Sequence, residues 1–231
     1  MTRYVHLTPR IEAALALIGK ADTVADIGCD HGRLTAALLQ RGVCSRVVAS
    51  DVSARSLQKA RDLIGHIGLN DRVSFRVGDG LSVLRENECD ALAILGMGGT
   101  LMTRILSAAP VPMMGAGAMV LQPMRAQAEI REYLFKNRYH VTDERIVREG
   151  ERLYELLRVV PGEAPQKMPP GWPTDFFDVG FTAWQQNDPL LPKRMEQMER
   201  QLKKRLEEAH GTAGEAKLLE KRRALETIRG L

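Results

Sequence analysis

Between Thr23 and Pro123 the chain passes five times from a short apolar run into a turn built on glycine, aspartate or proline. The runs are Thr23-Val-Ala-Asp-Ile27, Val47-Val-Ala-Ser-Asp51, Val73-Ser-Phe-Arg-Val77, Ala91 to Leu95 and Ala118 to Leu121. Helical patterns lie between and after them: Leu34, Leu38 and Leu39, then Ser56 to Ile67, Leu81 to Arg85, Thr100 to Ala108 and Ala126 to Asn137. Parallel strands cannot be joined by tight hairpins, so alternation on this scale predicts an α/β fold with a parallel sheet covered on both faces. Ile11, Leu15 and Ile18 predict an opening helix, while Thr142 to Arg148 and Tyr154 to Val160 predict an antiparallel pair closing one edge. The expected sheet therefore has seven strands and is mostly parallel.

The pattern stops at residue 160. Between Pro161 and Pro173 stand five prolines and two glycines with no periodic apolar residues, which marks a linker or strap over 161–189. Beyond it, Leu191, Met195, Met198, Leu202 and Leu206 recur at helical spacing, His210-Gly-Thr-Ala-Gly214 interrupts, and Leu218, Leu219, Leu225 and Ile228 resume. This predicts a coiled-coil-like helical hairpin over 190–231, appended to a main domain over 1–160. The hairpin carries 11 Lys/Arg against 7 Asp/Glu, whereas the rest of the chain balances 22 against 22. All of the +4 formal charge thus sits on one appendage, which suits either a phosphate backbone or a solvated helical surface.

Composition narrows the setting. No apolar run reaches the ~18 residues of a membrane span and no secretory leader opens the chain, so a cytoplasmic protein without membrane association is expected. Cys29, Cys44 and Cys89 form no C-x-x-C pair, so they are expected to be reduced and structural, with no metal site. No obligate protein partner is evident.

Three strand ends carry the chemistry. Val24-Ala-Asp-Ile-Gly-Cys-Asp-His-Gly32 runs from a strand through Asp26-x-Gly28 into a helix, where backbone N–H groups are free, although many such turns bind nothing. Asp51 closes the second strand roughly 20 residues on, the place from which a carboxylate can accept both hydroxyls of a ribose. Gly78-Asp79-Gly80 closes the third, where Asp79 can accept from an adenine amino group. The first turn lacks the G-x-G-x-x-G spacing of dinucleotide sites, and Asp30 would repel a pyrophosphate. A cationic sulfonium nucleoside, S-adenosylmethionine, fits Asp26 and Asp30 better. Gly28, Gly32, Gly80 and Gly96 complete the expected cofactor set. On the fourth strand end, Gly96-Met-Gly-Gly99 leaves room for a flat base, with Met97 as a soft stacking face. Gln122 on the fifth offers a polar contact, and a plain tight turn with Met97 in the core is the alternative.

Taken together, Asp26-Ile-Gly-Cys-Asp-His-Gly32, Gly78-Asp-Gly80, Gly96-Met-Gly-Gly99 and Leu121-Gln-Pro123 resemble the bacterial tRNA (adenine(22)-N(1))-methyltransferases. Leu7-Thr-Pro-Arg10, Val147-Arg-Glu149, Tyr154-Glu155 and the hairpin extend the resemblance over most of the chain. Cys29 replaces a common serine, Met124 a common asparagine, and Gly180-Phe181 a usual Gly-Pro.

The resemblance implies a Rossmann-like class I methyltransferase fold and methylation of adenine N1 in tRNA. It places Arg10, Met97, Gly98, Gly99 and Gln122 near the substrate. Lys203, Lys204, Arg205, Lys221, Arg222 and Arg223 on the hairpin are then expected to grip tRNA phosphates. Adenine N1 is already nucleophilic, so alignment is the main demand; Asp30 is the candidate to stabilise developing positive charge, and His31 to orient the base or cap the helix. Removing the chain from Gly171 onward is expected to spare cofactor binding. A methyltransferase acting on a small molecule or protein and a non-catalytic RNA-binding adaptor are the alternatives.

Overall fold

A computed structural model describes residues 5–108, 115–164 and 166–231. Helix α1 (Pro9–Ile18) opens the main body, followed by β1 (Thr23–Ile27), α2 (Arg33–Gln40), β2 (Arg46–Asp51), α3 (Ala54–His66), β3 (Val73–Val77), β4 (Ala91–Met97), α4 (Gly99–Ala108), β5 (Ala118–Pro123), α5 (Gln127–Lys136), β6 (Tyr139–Glu149) and β7 (Arg152–Pro161). The strands form one sheet in the order β3-β2-β1-β4-β5-β7-β6, with β7 antiparallel to both neighbours and all other pairs parallel. Alternating residues of each strand serve opposite faces. On β4, Leu92 and Ile94 join Met102, Leu106 and Ile130 of α4 and α5, while Ala91 and Ala93 join Leu17, Leu38 and Ala60 of α1, α2 and α3. Both faces are apolar because both are covered, as parallel sheets require.

Two expectations change in detail. The helix expected near Leu81 to Arg85 is a 3-10 turn over Gly80–Val83. Arg76 Nη1 donates to the Val83 carbonyl at 2.6 Å, occupying an acceptor that a continuing helix would need. Of the linker and the strap expected over 161–189, the segment forms a packed strap. It buries Trp172, Phe176, Phe177 and Val179, forms α6 (Phe181–Gln185), and sets Trp172 edge-on to Phe181 at 6.1 Å and to Trp184 at 5.7 Å. Helices α7 (Leu191–Ala209) and α8 (Glu215–Gly230) then form the hairpin, with Met195, Met198, Leu202, Leu218, Leu225 and Ile228 buried in the same apolar cluster as the strap.

Charge also fastens strap and hairpin to the sheet. Arg131 of α5 is buried between Glu144 of β6 and Glu155 of β7, pairs with both, and reaches the Phe177 carbonyl at 3.3 Å. Arg194 of α7 donates to the second oxygen of Glu155 at 2.6 Å. Burial raises the Glu155 carboxyl, but the two guanidinium groups more than offset this and hold it below the usual range, whereas burial keeps Glu144 raised. The three cysteines are buried and form no disulfide, and no described helix is long and apolar enough to cross a membrane.

Candidate active site

The C-terminal ends of β1, β2 and β3 meet in one crevice. The N–H groups of Gly28 and Cys29 both donate to the Ser50 carbonyl at 2.8 Å, pinning the first turn to the end of β2. Asp30 follows at φ +48°, and its N–H donates to Asp51 Oδ2 at 3.1 Å, while Ser53 N–H donates to Asp51 Oδ1 at 2.8 Å. Two backbone donors thus fix the Asp51 carboxylate at the strand end, half-exposed to the crevice. Asp26 lies beneath, 3% exposed, accepting from Thr35 Oγ1 of α2 at 2.7 Å. Burial pushes its carboxyl up to about 6, against the Thr35 hydrogen bonds and with help from Asp51.

The Cys29 thiol reports the field in this turn: burial, then Asp26, Asp51 and Asp30 in that order, push it upward. Carboxylates dominate the turn, so it suits a cationic nucleoside and opposes a pyrophosphate. The Gly78 N–H donates to the Asp51 carbonyl at 3.1 Å, which brings the third strand end to the same place, and Asp79 stands exposed there ahead of Gly80. Gly32 has another role: it begins α2 against α3, where an added Cβ would lie 2.8 Å from Ala60 Cβ. His31 is exposed, with Nε2 3.5 Å from Asp30 Oδ1 and 3.1 Å from Lys59 Nζ. Nε2 thus sits between an acceptor, the Asp30 carboxylate, and a donor, the Lys59 ammonium. Lys59 was not foreseen, because its helix shares no motif with the turn.

Opposite lies the fourth strand end. A bulge between Leu95 and Met97 turns Gly96 outward, and Met97 folds back so that its Cε fills the space a side chain at Gly28 would need. Met97 therefore joins the glycine turn to the apolar core instead of lying wholly within that core. The Met97 carbonyl accepts from Met124 N–H at 2.8 Å, and the Gly99 N–H donates to the Arg125 carbonyl at 2.8 Å. Gly99 is seated against the Ala126 carbonyl with no room for a Cβ, and Gly98 faces the Arg125 side chain.

Gln122 differs from the expectation. It is 1% exposed and its amide is engaged inside the protein, Nε2 donating to the Pro123 carbonyl at 3.1 Å and Oε1 accepting from Arg10 Nη1 at 3.4 Å. Arg10 is the accessible member of the pair. Its guanidinium lies 4.3 Å from the Tyr154 ring centroid, and Glu149 accepts from Arg10 Nε at 2.8 Å and from its backbone N–H at 3.0 Å. Glu149 and Tyr154 stand in motifs of the sequence, but nothing in those motifs joins them to a residue more than a hundred positions away.

The hairpin cations do not act as one group. Lys203, Lys204, Arg205, Arg222 and Arg223 are exposed, but Lys221 donates to both oxygens of Asp178 at 2.7 Å and ties α8 to the strap. Among the described residues no cluster of three or more His, Cys, Asp or Glu could hold a metal ion.

This sheet order, with carboxylates at three strand ends and a glycine platform at the fourth, defines the methyltransferase class of nucleoside-binding α/β proteins. Residues 7–157 match the Methyltransferase domain family. The tRNA (adenine(22)-N(1))-methyltransferase of Bacillus subtilis (strain 168) is 34% identical over 159 residues, covering 69% of this chain and 67% of that protein. The crystal structure of the B. subtilis M1A22 tRNA methyltransferase TrmK superposes with a TM-score of 0.81 at 26% identity over 98% of both chains. M. capricolum TrmK, solved with S-adenosyl-homocysteine, shares the fold at a TM-score of 0.75 and 20% identity, over 97% of this chain and 96% of that one. The chain belongs to the methyltransferase-domain family and, within it, to the tRNA (adenine(22)-N(1))-methyltransferases.

Proposed function

We propose that this protein transfers a methyl group from S-adenosylmethionine to N1 of adenine 22 in tRNA. The observation that carries the reading is the juxtaposition of a carboxylate-lined turn, Asp26, Asp30 and Asp51, with the Gly96–Gly99 platform of a family whose relative bears that activity. Asp51 would hold the ribose hydroxyls, Asp79 the adenine amino group, and Asp26 and Asp30 the positive end of the cofactor, with Gly96 leaving open space beside its backbone, whereas the space at Gly28 and Gly80 is taken by Met97 and Ile105. Bound there, S-adenosylmethionine supplies an electrophilic methyl group, so the acceptor needs only a free lone pair.

The remaining work belongs to side chains of this protein. Met97 and the glycines beside it form the surface for the target base, which must be unpaired because N1 lies on its Watson–Crick edge. Arg10, held by Glu149 and Gln122, presents its guanidinium beside that surface. Asp30 would stabilise the positive charge that develops on the methylated base. His31 lies next to it, its orientation set by Lys59. The hairpin cations that remain exposed would hold tRNA phosphates.

Transfer of labelled methyl from S-adenosylmethionine to unmodified tRNA, with nucleoside analysis, tests the reading. Appearance of 1-methyladenosine, lost when adenine 22 is replaced, is the expected result. Cofactor binding without transfer to any RNA would return the acceptor to a protein or small molecule.

A further inference from the structure

A second cleft, of about 610 Å³, opens where the acceptor side of the site ends and α7 begins. Its volume lies within the range of small-ligand pockets, large enough for a nucleotide or two. Met124 lines it, and the Met124 N–H is bonded to the Met97 carbonyl, so the cleft borders the strand end that carries the glycine platform. One wall is Arg152 at the β6–β7 turn; the other is the face of α7 bearing Gln197, Arg200, Gln201 and Lys204.

The charges in this cleft are unequal in availability. The one carboxylate on its wall among the described residues, Glu151, pairs with Arg148 at 2.9 Å. Arg194 at its base pairs with buried Glu155. Arg152 and Arg200 are exposed and make no ion pair or hydrogen bond among the described residues, and Lys204 is only loosely placed, 3.9 Å from Glu208. Gln197 and Gln201 add free amides between them. Two unspent guanidinium groups lining one cleft, with amides and an uncharged thioether beside them, match a phosphodiester backbone whose base points inward.

We infer that this cleft binds the single-stranded RNA backbone flanking the target nucleotide, with Arg152 and Arg200 taking its phosphates from opposite walls. The inference rests on the tRNA reading above and assigns to the strand next to the target a site separate from the outer hairpin cations. Arg152 and Arg200 are positioning residues: they fix the backbone so that the base reaches Met97.

The test uses the full chain and an unmodified tRNA transcript, with affinity measured across a salt series. Arg152→Gln/Arg200→Gln should lower tRNA affinity about tenfold or more at physiological salt and reduce the slope of log K against log salt by roughly 1.5, the value for two lost phosphate contacts. KM for tRNA should rise while cofactor affinity is unchanged, and Arg152→Lys/Arg200→Lys should restore most of the slope. Arg104→Gln/Lys167→Gln removes the same charge from exposed positions outside the cleft and should leave the slope as it was. An unchanged slope in a Gln/Gln variant that still methylates tRNA overturns the cleft assignment alone. Failure of the unaltered chain to bind tRNA at any salt overturns both the assignment and the functional reading beneath it.

Discussion

The carboxylate of Asp51 accepts the backbone N–H of Asp30 at 3.1 Å, so the end of the second strand sets the shape of the turn after the first. In the proposed function one side chain would thereby serve both the geometry of the turn and the ribose. Asp51→Ala should weaken S-adenosylmethionine binding ten- to a hundredfold, the range for losing one or two hydrogen bonds to a charged acceptor. Calorimetric titration reads this directly, and unaltered affinity in a folded variant would remove Asp51 from the cofactor site.

Asp26 makes stability and binding oppose each other with pH. Its carboxyl is raised from 3.8 to about 6, so its contribution to folding is present in full below about pH 4 and is lost as pH rises through about 6. Above that, the buried charge costs the empty protein about 3 kcal/mol. Asp26→Asn should therefore stabilise the cofactor-free protein at pH 8 and have little effect at pH 4, as measured by denaturant melts at both values. The same variant should bind the cationic cofactor more weakly, and binding to the unaltered protein should fall off below pH 6. A stability difference that does not vary with pH contradicts this account.

Arg131 is spent on buried ion pairs inside the fold, and its loss should be among the most damaging. Arg131→Met leaves Glu144 and Glu155 buried, with only Arg194 to compensate them. Unfolding in urea should show a loss of about 3–5 kcal/mol.

Gly99 admits no side chain, because the Ala126 carbonyl occupies the space. Gly99→Ala should cost about 1–3 kcal/mol and displace the platform, lowering methyl transfer while sparing cofactor affinity. Comparison of kcat on tRNA with the cofactor Kd checks both halves.

Lys221 and Arg222 are sequence neighbours with different partners. Lys221→Ala should reduce stability by up to about 1 kcal/mol through the half-buried Asp178 pair and leave the salt dependence of tRNA binding unchanged. Arg222→Ala should do the reverse. A salt slope in Arg222→Ala equal to that of the unaltered protein would show that Arg222 touches no phosphate.

The sheet was legible because its signal is local: apolar runs of strand length ending at Gly28, Asp51, Gly78 and Gly96 occur at intervals that admit little but βα units. The antiparallel edge was legible for the same reason. What escaped was long-range and polar. Nothing in the spacing of Arg10, Gln122 and Glu149 says that one guanidinium bonds both partners, and nothing in a proline-rich segment says that Trp172 and Phe176 are core. Gln122 was read as a base contact from its position at a strand end; whether an amide at such a position turns inward depends on its partner, here Arg10, supplied from the other end of the domain. Lys221 illustrates the same limit, since a charge count cannot separate an ion pair from a free cation.

The pairing of Arg194 with Glu155 changes what the C-terminal hairpin is. Cutting the chain at Gly171 would strip the Phe177 carbonyl from Arg131 and Arg194 from Glu155, unbalancing charges inside the sheet domain itself. The hairpin is accordingly a cantilever with its root clamped in the catalytic body. Helix α7 has 19 residues, about 28 Å of rigid reach at 1.5 Å per residue, so whatever its far end grips stands at a set distance from Met97. A flexible tether would raise the local concentration of substrate, whereas a clamped beam measures, and can select a nucleotide by how far it lies from the part of the substrate held at its tip.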